Sequence, residues 1–408
     1  MKRIGLMKNT IQEYAWGSFT AIAEFLGNAS PSKTPQAELW MGAHPKAPSM
    51  VKCDGNWISL FELIEKNPDH ILGKKVAGKF NNRLPYLFKV LAAEKPLSIQ
   101  AHPSIDQAKQ GFERENRQGI PLDAYNRNYK DDNHKPECIC AQTLFWALNG
   151  FRKISEIVGL MEKICPQGLK KPLDTLRGEQ SPIELKKFFQ TLMTMNHKQQ
   201  TKLITHAVSN AKKFRDDDPA YQWMIDLHKE YPADIGVFSP ILLNLICLER
   251  GQAMFLPAGE LHAYLDGVGV ELMANSDNVL RGGLTPKYID IPELLNVLNF
   301  EEREVNILKT EQINECEWVY ENHAEEFILS NIHVKEGIIY NSSVHRSIEI
   351  LLCSDGKATI TDLGKNDQVV IDKGKSMIIP AIVKKYSIQG NAVFYKAAVP
   401  LYEKFAKP

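Results

Sequence analysis

Hydrophobic and polar positions divide the chain into regions with different periodicities. From 1 to about 152, short apolar runs such as 84–93 stand among Gly, Pro and Trp residues, a pattern typical of strands joined by irregular loops. From about 153 to 235, apolar residues recur at helical spacing, as in 154–164. After about 240 the strand pattern returns. The chain is therefore predicted to be mainly β with an all-helical insert.

Two segments of the β regions repeat one arrangement of turn residues. In 251–262 the order is Gly, five residues, Pro, one residue, Gly, two residues, His, and 374–385 repeats the Gly, the five-residue gap and the Pro. The later copy has Ile382 and Lys385 where the earlier one has its second Gly and its His. Gly and Pro at these places bracket a short buried strand and begin the next turn. The first copy resembles a motif of the cupins, which are small jelly-roll barrels that bind a metal at the barrel mouth.

This resemblance implies two cupin-type jelly-roll barrels plus an all-helical domain, with only the first barrel able to hold a metal. We expect a catalytic jelly roll at 1–152 plus 236–305, a helical insert at 153–235 and a metal-free jelly roll at 306–408. The length agrees, because 408 residues exceed the roughly 250–300 that one hydrophobic core supports. A further helix is predicted near 292–298.

Composition and charge narrow the class of protein. Hydrophobic residues make up 44% and charged residues 24%, which is ordinary for a soluble globular protein. Lys+Arg and Asp+Glu each number 49, so no global field favours nucleic acid or an anionic membrane surface. We expect neither as a partner. Any anionic ligand must be captured by a local cluster of positive charge.

Cysteine usage and the apolar segments indicate the compartment. The seven cysteines are scattered and form no CxxC pair, which suits reduced thiols in a cytoplasmic protein better than disulfides or a cysteine zinc site. The first residues contain no apolar stretch long enough for a signal peptide. The most apolar segment, around 240–248, is far shorter than the roughly 20 residues that span a bilayer. We expect a soluble, cytoplasmic protein.

The densest cluster of titratable side chains is the segment 129–137, Tyr-Lys-Asp-Asp-Asn-His-Lys-Pro-Glu. Pro136 favours an extended conformation at Lys135, and alternate side chains of an extended chain share a face. Lys135 and Glu137 are therefore predicted to point one way and His134 another. Such a group can supply a metal ligand together with a proton-transfer group. The alternative is a solvated charged loop.

A second polar face is predicted just downstream of the apolar run 84–93. Ser98, Gln100 and His102 alternate with small or apolar residues, so on a strand they share one face. A sheet can show such a face to water. Because the upstream run looks buried, however, the face is predicted to line a cavity.

His262 completes a set of metal-ligand residue types. It follows the cupin-like turn, and Tyr264 is predicted to lie on its side of the strand. With Gln100, His102 and Glu137 it supplies two imidazoles, one carboxylate and one amide oxygen. This set fits Zn²⁺ well, with Mn²⁺, Co²⁺ and Fe²⁺ as weaker candidates. One or two positions should stay open for water or substrate, as in catalytic metal sites.

The segment 262–287 is the third unusual stretch, rich in Asn, Asp and Gly. An irregular turn would explain that composition. It would not explain why Arg281 and Lys287 flank a pair of glycines. Arginine presents a planar fork suited to enediolate or phosphate oxygens, and glycine lets the backbone approach a ligand closely.

These segments resemble those of the type I mannose-6-phosphate isomerase (phosphomannose isomerase) family. The segments 129–137 and 262–287 look like its two signature motifs. The segments 14–18, 37–49 and 97–103 are similar to the opening and to further stretches of the family. One departure is Gly282, which stands where the family usually has alanine.

The resemblance implies an enzyme that interconverts mannose 6-phosphate and fructose 6-phosphate, a small phosphosugar substrate, with one Zn²⁺ per chain. A proton would move between C2 and C1 through a cis-enediol intermediate. Arg281 would stabilise the negative charge that develops on the enediolate. The metal ligands it implies are Gln100, His102, Glu137 and His262.

Other roles stay open at this point. Ring opening is assigned to Asp277 with Lys135. Candidates for the base near C1 and C2 are Lys135, His134, Asp277 and Glu271. Predicted contacts with the phosphate are Ser98, Lys89 and Lys287. Further predicted substrate contacts are Tyr264, Trp16 and Glu38.

Two rival functions share parts of this pattern. Two histidines and a glutamate also describe a non-haem iron oxygenase, although the Gln ligand and the nearby Lys and Arg residues argue against it. A sugar-binding cupin without catalysis would have lost Arg281 or a ligand, and all are present. We expect a monomer, with an oligomer left open. The product could feed either GDP-mannose biosynthesis or glycolysis.

Overall fold

The structure is a computed structural model that describes residues 3–165 and 167–401. The outermost residues of the predicted first and last domains, 1–2 and 402–408, lie outside the described residues, as does Pro166. The strands are β1 (Gly5–Lys8), β2 (Thr10–Gln12), β3 (Glu38–Met41), β4 (Met50–Cys53), β5 (Asn56–Ser59), β6 (Tyr86–Ala93), β7 (Ile99–Ala101), β8 (Glu137–Ala141), β9 (Phe145–Phe151), β10 (Leu243–Leu248), β11 (Ala253–Leu256), β12 (His262–Ala274), β13 (Leu280–Gly283), β14 (Thr310–Asn314), β15 (Glu317–Tyr320), β16 (Ile328–Val334), β17 (Ile339–Asn341), β18 (Glu349–Asp362), β19 (Asp367–Asp372), β20 (Ser376–Ile379) and β21 (Tyr386–Ala398).

Helices occupy one long block and several connections. The α-helices are α1 (Ala21–Phe25), α2 (Leu60–Lys66), α3 (Pro68–Ile71), α4 (Lys74–Lys79), α5 (Ile105–Arg117), α6 (Ile154–Ile164), α7 (Lys170–Gly178), α8 (Pro182–Thr194), α9 (His197–Ala211), α10 (Pro219–Glu230), α11 (Ser239–Leu242) and α12 (Ile291–Val297). Two 3-10 helices lie at Gln167–Leu169 and Ile235–Phe238. The helix predicted near 292–298 is confirmed as α12.

In the described part of the chain the strands form two large sheets, and neighbouring strands within each sheet pair antiparallel. The N-terminal sheet has the order β10-β9-β12-β6-β3-β2, with β7, β8, β11 and β13 joined to it. The C-terminal sheet has the order β14-β15-β16-β21-β18-β20-β1-β4-β5, with β17 on β21 and β19 on β18. The prediction of a mainly β chain with a helical insert is confirmed.

Strand β6 shows why the run 84–93 is apolar apart from Lys89 and does not alternate with period two. All eight of its residues are buried. Phe88 and Val90 pack into the core between the two sheets, whereas Leu91 packs into the core inside the N-terminal sheet. A strand covered on both faces has no reason to alternate apolar with polar residues.

The long strand β12 connects most of the N-terminal sheet. It pairs with β6, β7, β8 and β9, and its register shifts against β9. At one end His262 lies opposite both Gln100 and Asn149. Nearer the other end Glu271 lies opposite Lys89. A single strand therefore positions several of the residues that the sequence singled out.

The insert is all-helical, as predicted, and its helices begin where the sequence places caps. Ser181 accepts a hydrogen bond from the backbone of Glu184 at the start of α8, and Asn196 forms a capping box with Gln199 at the start of α9. The amphipathic faces of α6 to α10 share one apolar core. Within the described residues, no helix combines the length and the apolarity needed to cross a membrane.

The C-terminal sheet takes three strands from the start of the chain. β1 pairs with β20, with Gly5 opposite Ile378, and β4 and β5 continue the sheet beyond β1. The core between the two sheets contains residues from both, including Leu39, Ile350 and Tyr395. The region 306–408 therefore does not build its sheet alone. Pairing between strands so far apart leaves no signal in the local sequence. The domain boundaries given above stay predictions.

A glycine in α5 gives a test of this packing. A Cβ at Gly111 would lie 2.3–2.6 Å from ring carbons of Tyr129, a fully buried side chain at the start of the 129–137 segment. Gly111→Ala should therefore lower the melting temperature, since overpacking costs about 1–3 kcal/mol. The matched control is Gly159→Ala in α6, where nothing lies within 4 Å. That change should be neutral or stabilising, by up to about 1 kcal/mol. Equal melting temperatures for the two variants would contradict the packing described.

Candidate metal centre

Three buried side chains from separate strands meet in the N-terminal sheet. His102 directly follows β7, whereas Glu137 and His262 are the first residues of β8 and β12. One ligand atom from each lies within 4.8 Å of the other two. His102 Nε2 is 3.2 Å from Glu137 Oε1, and His262 Nε2 is 3.5 Å from Glu137 Oε2. We call these three residues the His-Glu-His centre.

Hydrogen bonds to backbone carbonyls orient both imidazoles. His102 Nδ1 lies 2.8 Å from the carbonyl oxygen of Asn278, and His262 Nδ1 lies 2.9 Å from that of Glu260. A carbonyl can only accept, so each Nδ1 carries the proton and each Nε2 presents a lone pair to the centre. Both Nε2 atoms are buried and have no hydrogen-bond partner among the described residues.

The charge of the centre is matched to a cation. Burial opposes ionisation of Glu137, but the charge of Lys135, whose Nζ is 2.9 Å from Glu137 Oε1, outweighs it and holds the pKa of the carboxyl well below its usual range. Burial, followed by the charge of Lys135, lowers the pKa of His102 to about 4. The centre is therefore an ionised carboxylate facing two buried Nε2 atoms that have no hydrogen-bond partner among the described residues. These groups repel one another unless a cation lies between them, so the donor set fits one metal ion.

Asn278 holds two of the sequence motifs together. Its side-chain oxygen accepts hydrogen bonds from the backbone N–H groups of Lys130 and Asp131, at 2.6 and 3.2 Å. Its amide nitrogen donates to the carbonyl oxygens of Asp131 and Asn133, both at 2.8 Å. Asn278 is fully buried, and its own carbonyl orients His102. Sequence reasoning took it for a turn residue, and only its place in an Asn/Asp/Gly-rich stretch pointed to it.

Gln100 and Arg281 lie next to the centre through the strand register. Gln100 is opposite His262 in β12 and opposite Arg281 in β13. Coordination by the Gln100 side chain stays a prediction. The half-buried guanidinium of Arg281 makes no hydrogen bond or ion pair with any described residue, and burial lowers its pKa. Burial and the charge of Arg281 likewise lower the pKa of Lys287. These two cations are therefore near each other and lack protein anions.

Lys89, predicted to contact phosphate, is committed to two carboxylates. Its Nζ lies 2.8 Å from Glu271 and 3.5 Å from Glu38, and all three side chains are buried. Glu38 also accepts a hydrogen bond of 2.6 Å from Trp40 Nε1. Burial, opposed by Lys89 and reinforced by the field of Glu137, raises the pKa of Glu271. The charge of Lys89 is thus already neutralised inside the protein.

Two of the predicted base candidates bind other partners. Asp277 pairs with Lys46 at 2.7 Å and lies 3.6 Å from His44 Nε2. Burial raises the pKa of Asp277, but His44 and Lys46 outweigh it and hold the pKa well below the usual range. A carboxylate so stabilised is a weak base. His134 Nε2 lies 2.7 Å from Glu326, which is in the link between β15 and β16 of the C-terminal sheet.

The remaining predicted substrate contacts are spread around the centre. Tyr264 is buried, and its hydroxyl donates a hydrogen bond of 3.4 Å to Glu137 Oε2. Trp16 packs against the core inside the N-terminal sheet, with its ring centroid 5.8 Å from that of Tyr14. Ser98 is half-buried in the link between β6 and β7. Their contacts with a substrate stay predictions.

Comparison with known proteins identifies the family. Residues 5–154 match the family model "Phosphomannose isomerase type I, catalytic domain", and residues 167–243 match "Phosphomannose isomerase type I, helical insertion domain". The second match corresponds to the all-helical insert, although its limits differ from the predicted 153–235.

Relatives match along nearly the whole chain. Mannose-6-phosphate isomerase of Escherichia coli (strain K12) is 42% identical, covering 94% of this chain and 96% of the relative. The Rattus norvegicus enzyme is 33% identical, covering 97% and 98%. A solved structure described as zinc-bound, holo mannose 6-phosphate isomerase has 38% identity and a TM-score of 0.89, covering 98% of this chain and all of its own. A variant of phosphomannose isomerase from Salmonella typhimurium has 38% identity and a TM-score of 0.90. The chain belongs to the type I phosphomannose isomerase family and is an enzyme.

The His-Glu-His centre predicts how metal content responds to substitution. His262→Ala, His102→Ala and Glu137→Gln should each purify with less than about a tenth of the metal bound by the unaltered protein, because each removes one donor or the charge that holds the ion. Elemental analysis by mass spectrometry measures this. The control His206→Ala, an exposed histidine of α9, should keep full metal content. Full content in all three variants would rule out this centre as the metal site.

Proposed function

We propose that this enzyme interconverts D-mannose 6-phosphate and D-fructose 6-phosphate with one zinc ion per chain. The observation that carries the proposal is the pair of unpartnered Nε2 atoms facing the ionised Glu137. His102, Glu137 and His262 would hold the ion, with Gln100 as the fourth ligand. A mixed nitrogen and oxygen set of this kind suits zinc. The printed names of the relatives support the choice of substrate.

The reaction moves one proton from C2 of the open-chain aldose to C1, through a cis-enediol. A zinc ion, when bound, supplies a Lewis acid that polarises the sugar oxygens. Negative charge develops on those oxygens as the proton leaves. Arg281 is assigned to donate hydrogen bonds to this charge. Its guanidinium is available because it has no partner among the described residues. One such preorganised donor stabilises a transition state by about 3 kcal/mol.

Lys135 is assigned the transfer of the proton between C2 and C1. Its side chain is one of the four base candidates and contacts the centre itself, at 2.9 Å from Glu137 Oε1. His134 and Asp277 are paired as well, but with Glu326 and Lys46, which lie outside the centre. A base must lie within hydrogen-bond reach of the carbon-bound proton, so position favours Lys135. Glu271, whose pKa is raised mainly by burial, stays the second candidate.

Lys287 is assigned the phosphate group, with Ser98 as a further contact. Lys287 and Arg281 are close enough for the charge of one to lower the pKa of the other. Two neighbouring cations without protein anions form the local positive cluster that a neutral protein needs to capture a phosphate. Lys89 is neutralised by Glu271 and Glu38, so it is assigned to stabilise the carboxylate of Glu271 and not to bind the phosphate.

The proposed setting is the cytoplasm, with the enzyme acting as a monomer. Within the described residues, no disulfide is recorded for the cysteines at 53, 138, 140, 247, 316 and 353, which suits a reducing compartment. Mannose 6-phosphate made in one direction could serve GDP-mannose biosynthesis, and fructose 6-phosphate made in the other could serve glycolysis.

A coupled assay of fructose 6-phosphate formed from mannose 6-phosphate tests the function directly. The zinc-loaded enzyme should turn over the substrate, a chelator should reduce the rate to background, and added zinc should restore it. Full activity in the chelated, zinc-free protein would contradict the proposed role of the metal. Oxygen consumption in place of isomerisation would favour the iron oxygenase alternative.

Arg281→Ala should lower kcat by about 10²-fold or more while zinc content stays full, because the donor to the enediolate charge is lost. The measurements are steady-state kinetics and elemental analysis of the same preparation. The control Arg215→Ala removes an exposed arginine between α9 and α10 and should leave kcat unchanged. Near-normal turnover of Arg281→Ala would remove this arginine from the mechanism.

Lys135→Gln and His134→Gln separate two base candidates that are adjacent in sequence. Lys135→Gln should reduce kcat by about 10²-fold or more, since the proton-transfer group is lost, whereas His134→Gln should stay within about tenfold. Exchange of solvent deuterium into the sugar should fall in parallel with kcat for Lys135→Gln. The assignment fails if His134→Gln is the more damaged variant at equal zinc content.

A further inference from the structure

A cleft with a volume of about 400 Å³ lies where the N-terminal and C-terminal sheets meet. Gln142 and Arg250 line its N-terminal side, and Trp318, Asn331 and Tyr395 line its C-terminal side. We call it the junction cleft. None of the residues used in the proposed isomerase reaction lines it.

The ladder between β8 and β11 separates the junction cleft from the His-Glu-His centre. Glu137 begins β8 opposite Leu256, and the ladder ends with Cys140 opposite Ala253. Gln142 follows the far end of β8, five residues beyond Glu137. At about 3.3 Å per residue, the cleft begins about 16 Å from the centre along the strand.

The C-terminal wall of the cleft is one face of three neighbouring strands. Asn331 in β16 lies opposite Trp318 in β15 and opposite Tyr395 in β21. The other wall residues of these strands, Tyr320 and His333 among them, lie two positions away and so share the same face. Trp318 and His333 touch edge to face, with ring centroids 5.4 Å apart. The wall is therefore a row of aromatic and amide groups.

Positive charge in the cleft is not balanced. The guanidinium of Arg250 makes no hydrogen bond or ion pair with any described residue. Burial lowers the pKa of His333, and the charges of Lys335 and Arg250 add to this effect. Among the described residues that line the cleft, none carries a carboxylate. A cleft with an unpaired guanidinium and no carboxylate in its lining favours a ligand that carries an anionic group.

One buried polar atom in the cleft lacks a partner. Asn331 is 8% exposed, and its Oδ1 has no hydrogen-bond partner among the described residues. Leaving such an acceptor unsatisfied is costly, so a ligand that donates a hydrogen bond is favoured. The neighbouring hydroxyls are arranged by the protein, because Tyr395 accepts from Gln142 Nε2 at 2.7 Å and Tyr320 donates to the carbonyl oxygen of Gly251 at 2.8 Å.

We propose that the junction cleft is a second ligand site, which binds an anionic monosaccharide. The anionic group would meet Arg250, sugar hydroxyls would meet Asn331 and the ordered hydroxyls, and the apolar face of the ring would lie against Trp318. The inference rests on the cleft alone and does not require the proposed isomerase reaction.

Fluorescence titration of the full zinc-loaded chain tests this site. The probes are glucose 6-phosphate and glucuronate, compared with uncharged glucose and inorganic phosphate. Binding in the cleft is measured as the part of the fluorescence change that is absent in Trp318→Phe. The change that remains in this variant comes from the other tryptophans, including those nearer the His-Glu-His centre. Saturable binding of at least one anionic sugar, about tenfold or more tighter than glucose and than phosphate, is expected.

Substitutions in the cleft supply the controls. Arg250→Gln, at an exposed position, should weaken the Trp318-dependent binding about tenfold or more, whereas Arg215→Gln should not change it. Asn331→Leu should also weaken the Trp318-dependent binding, and its melting temperature is measured to check that the variant is folded. Isomerase turnover of Arg250→Gln should stay within about twofold of the unaltered enzyme. The proposal is overturned if no probe gives a saturable Trp318-dependent signal, if glucose or phosphate binds as tightly as the anionic sugars, or if Arg250→Gln binds normally.

Discussion

A buried carboxylate that faces two imidazole lone pairs is the constraint on which the site depends. Glu137 is ionised, and the buried Nε2 atoms of His102 and His262 have no hydrogen-bond partner among the described residues. Lys135 offsets part of the charge from one side only. The arrangement is stable when a cation occupies the space between the three ligand atoms. The fold around it keeps these mutually repelling groups together.

Several independent segments contribute to that positioning. β12 supplies His262, and the buried Asn278 ties the 129–137 segment to the residues that follow β12 while orienting His102. The C-terminal sheet also reaches this segment, through the contact of Glu326 with His134. Because β1, β4 and β5 belong to the C-terminal sheet, the region 306–408 cannot separate from the start of the chain without breaking strand pairs. The C-terminal region thus supports the site although it provides none of the three centre ligands.

Residue types and periodicity were sufficient to single out three side chains that the fold brings together, His102, Glu137 and His262. The period-two alternation around Gln100 and the cupin-like turn before His262 predicted strands that face a cavity, and Pro136 predicted the extended backbone that aligns Lys135 with Glu137. The 2.9 Å contact between the last two side chains agrees with that prediction. Helical spacing was likewise enough for the insert, whose amphipathic faces pack on one another.

Long-range partners were beyond sequence reasoning. Nothing near Lys89 indicates that Glu38 and Glu271 neutralise it, nothing near Asp277 indicates its pairing with Lys46, and nothing in 129–137 indicates Glu326. Each is a contact between segments that only the folded chain brings together, so the charge pattern does not show which of these side chains are paired inside the protein. The junction cleft was missed for the same reason, since its walls belong to different sheets.

X-ray diffraction data collected on both sides of the zinc absorption edge, from crystals of the protein as purified, would locate the metal ion. One anomalous peak per chain is expected, at about 2.0–2.2 Å from His102 Nε2, His262 Nε2 and a carboxylate oxygen of Glu137. A fully active preparation whose crystals show no peak there, or show zinc bound elsewhere, would rule out the His-Glu-His centre as the metal site.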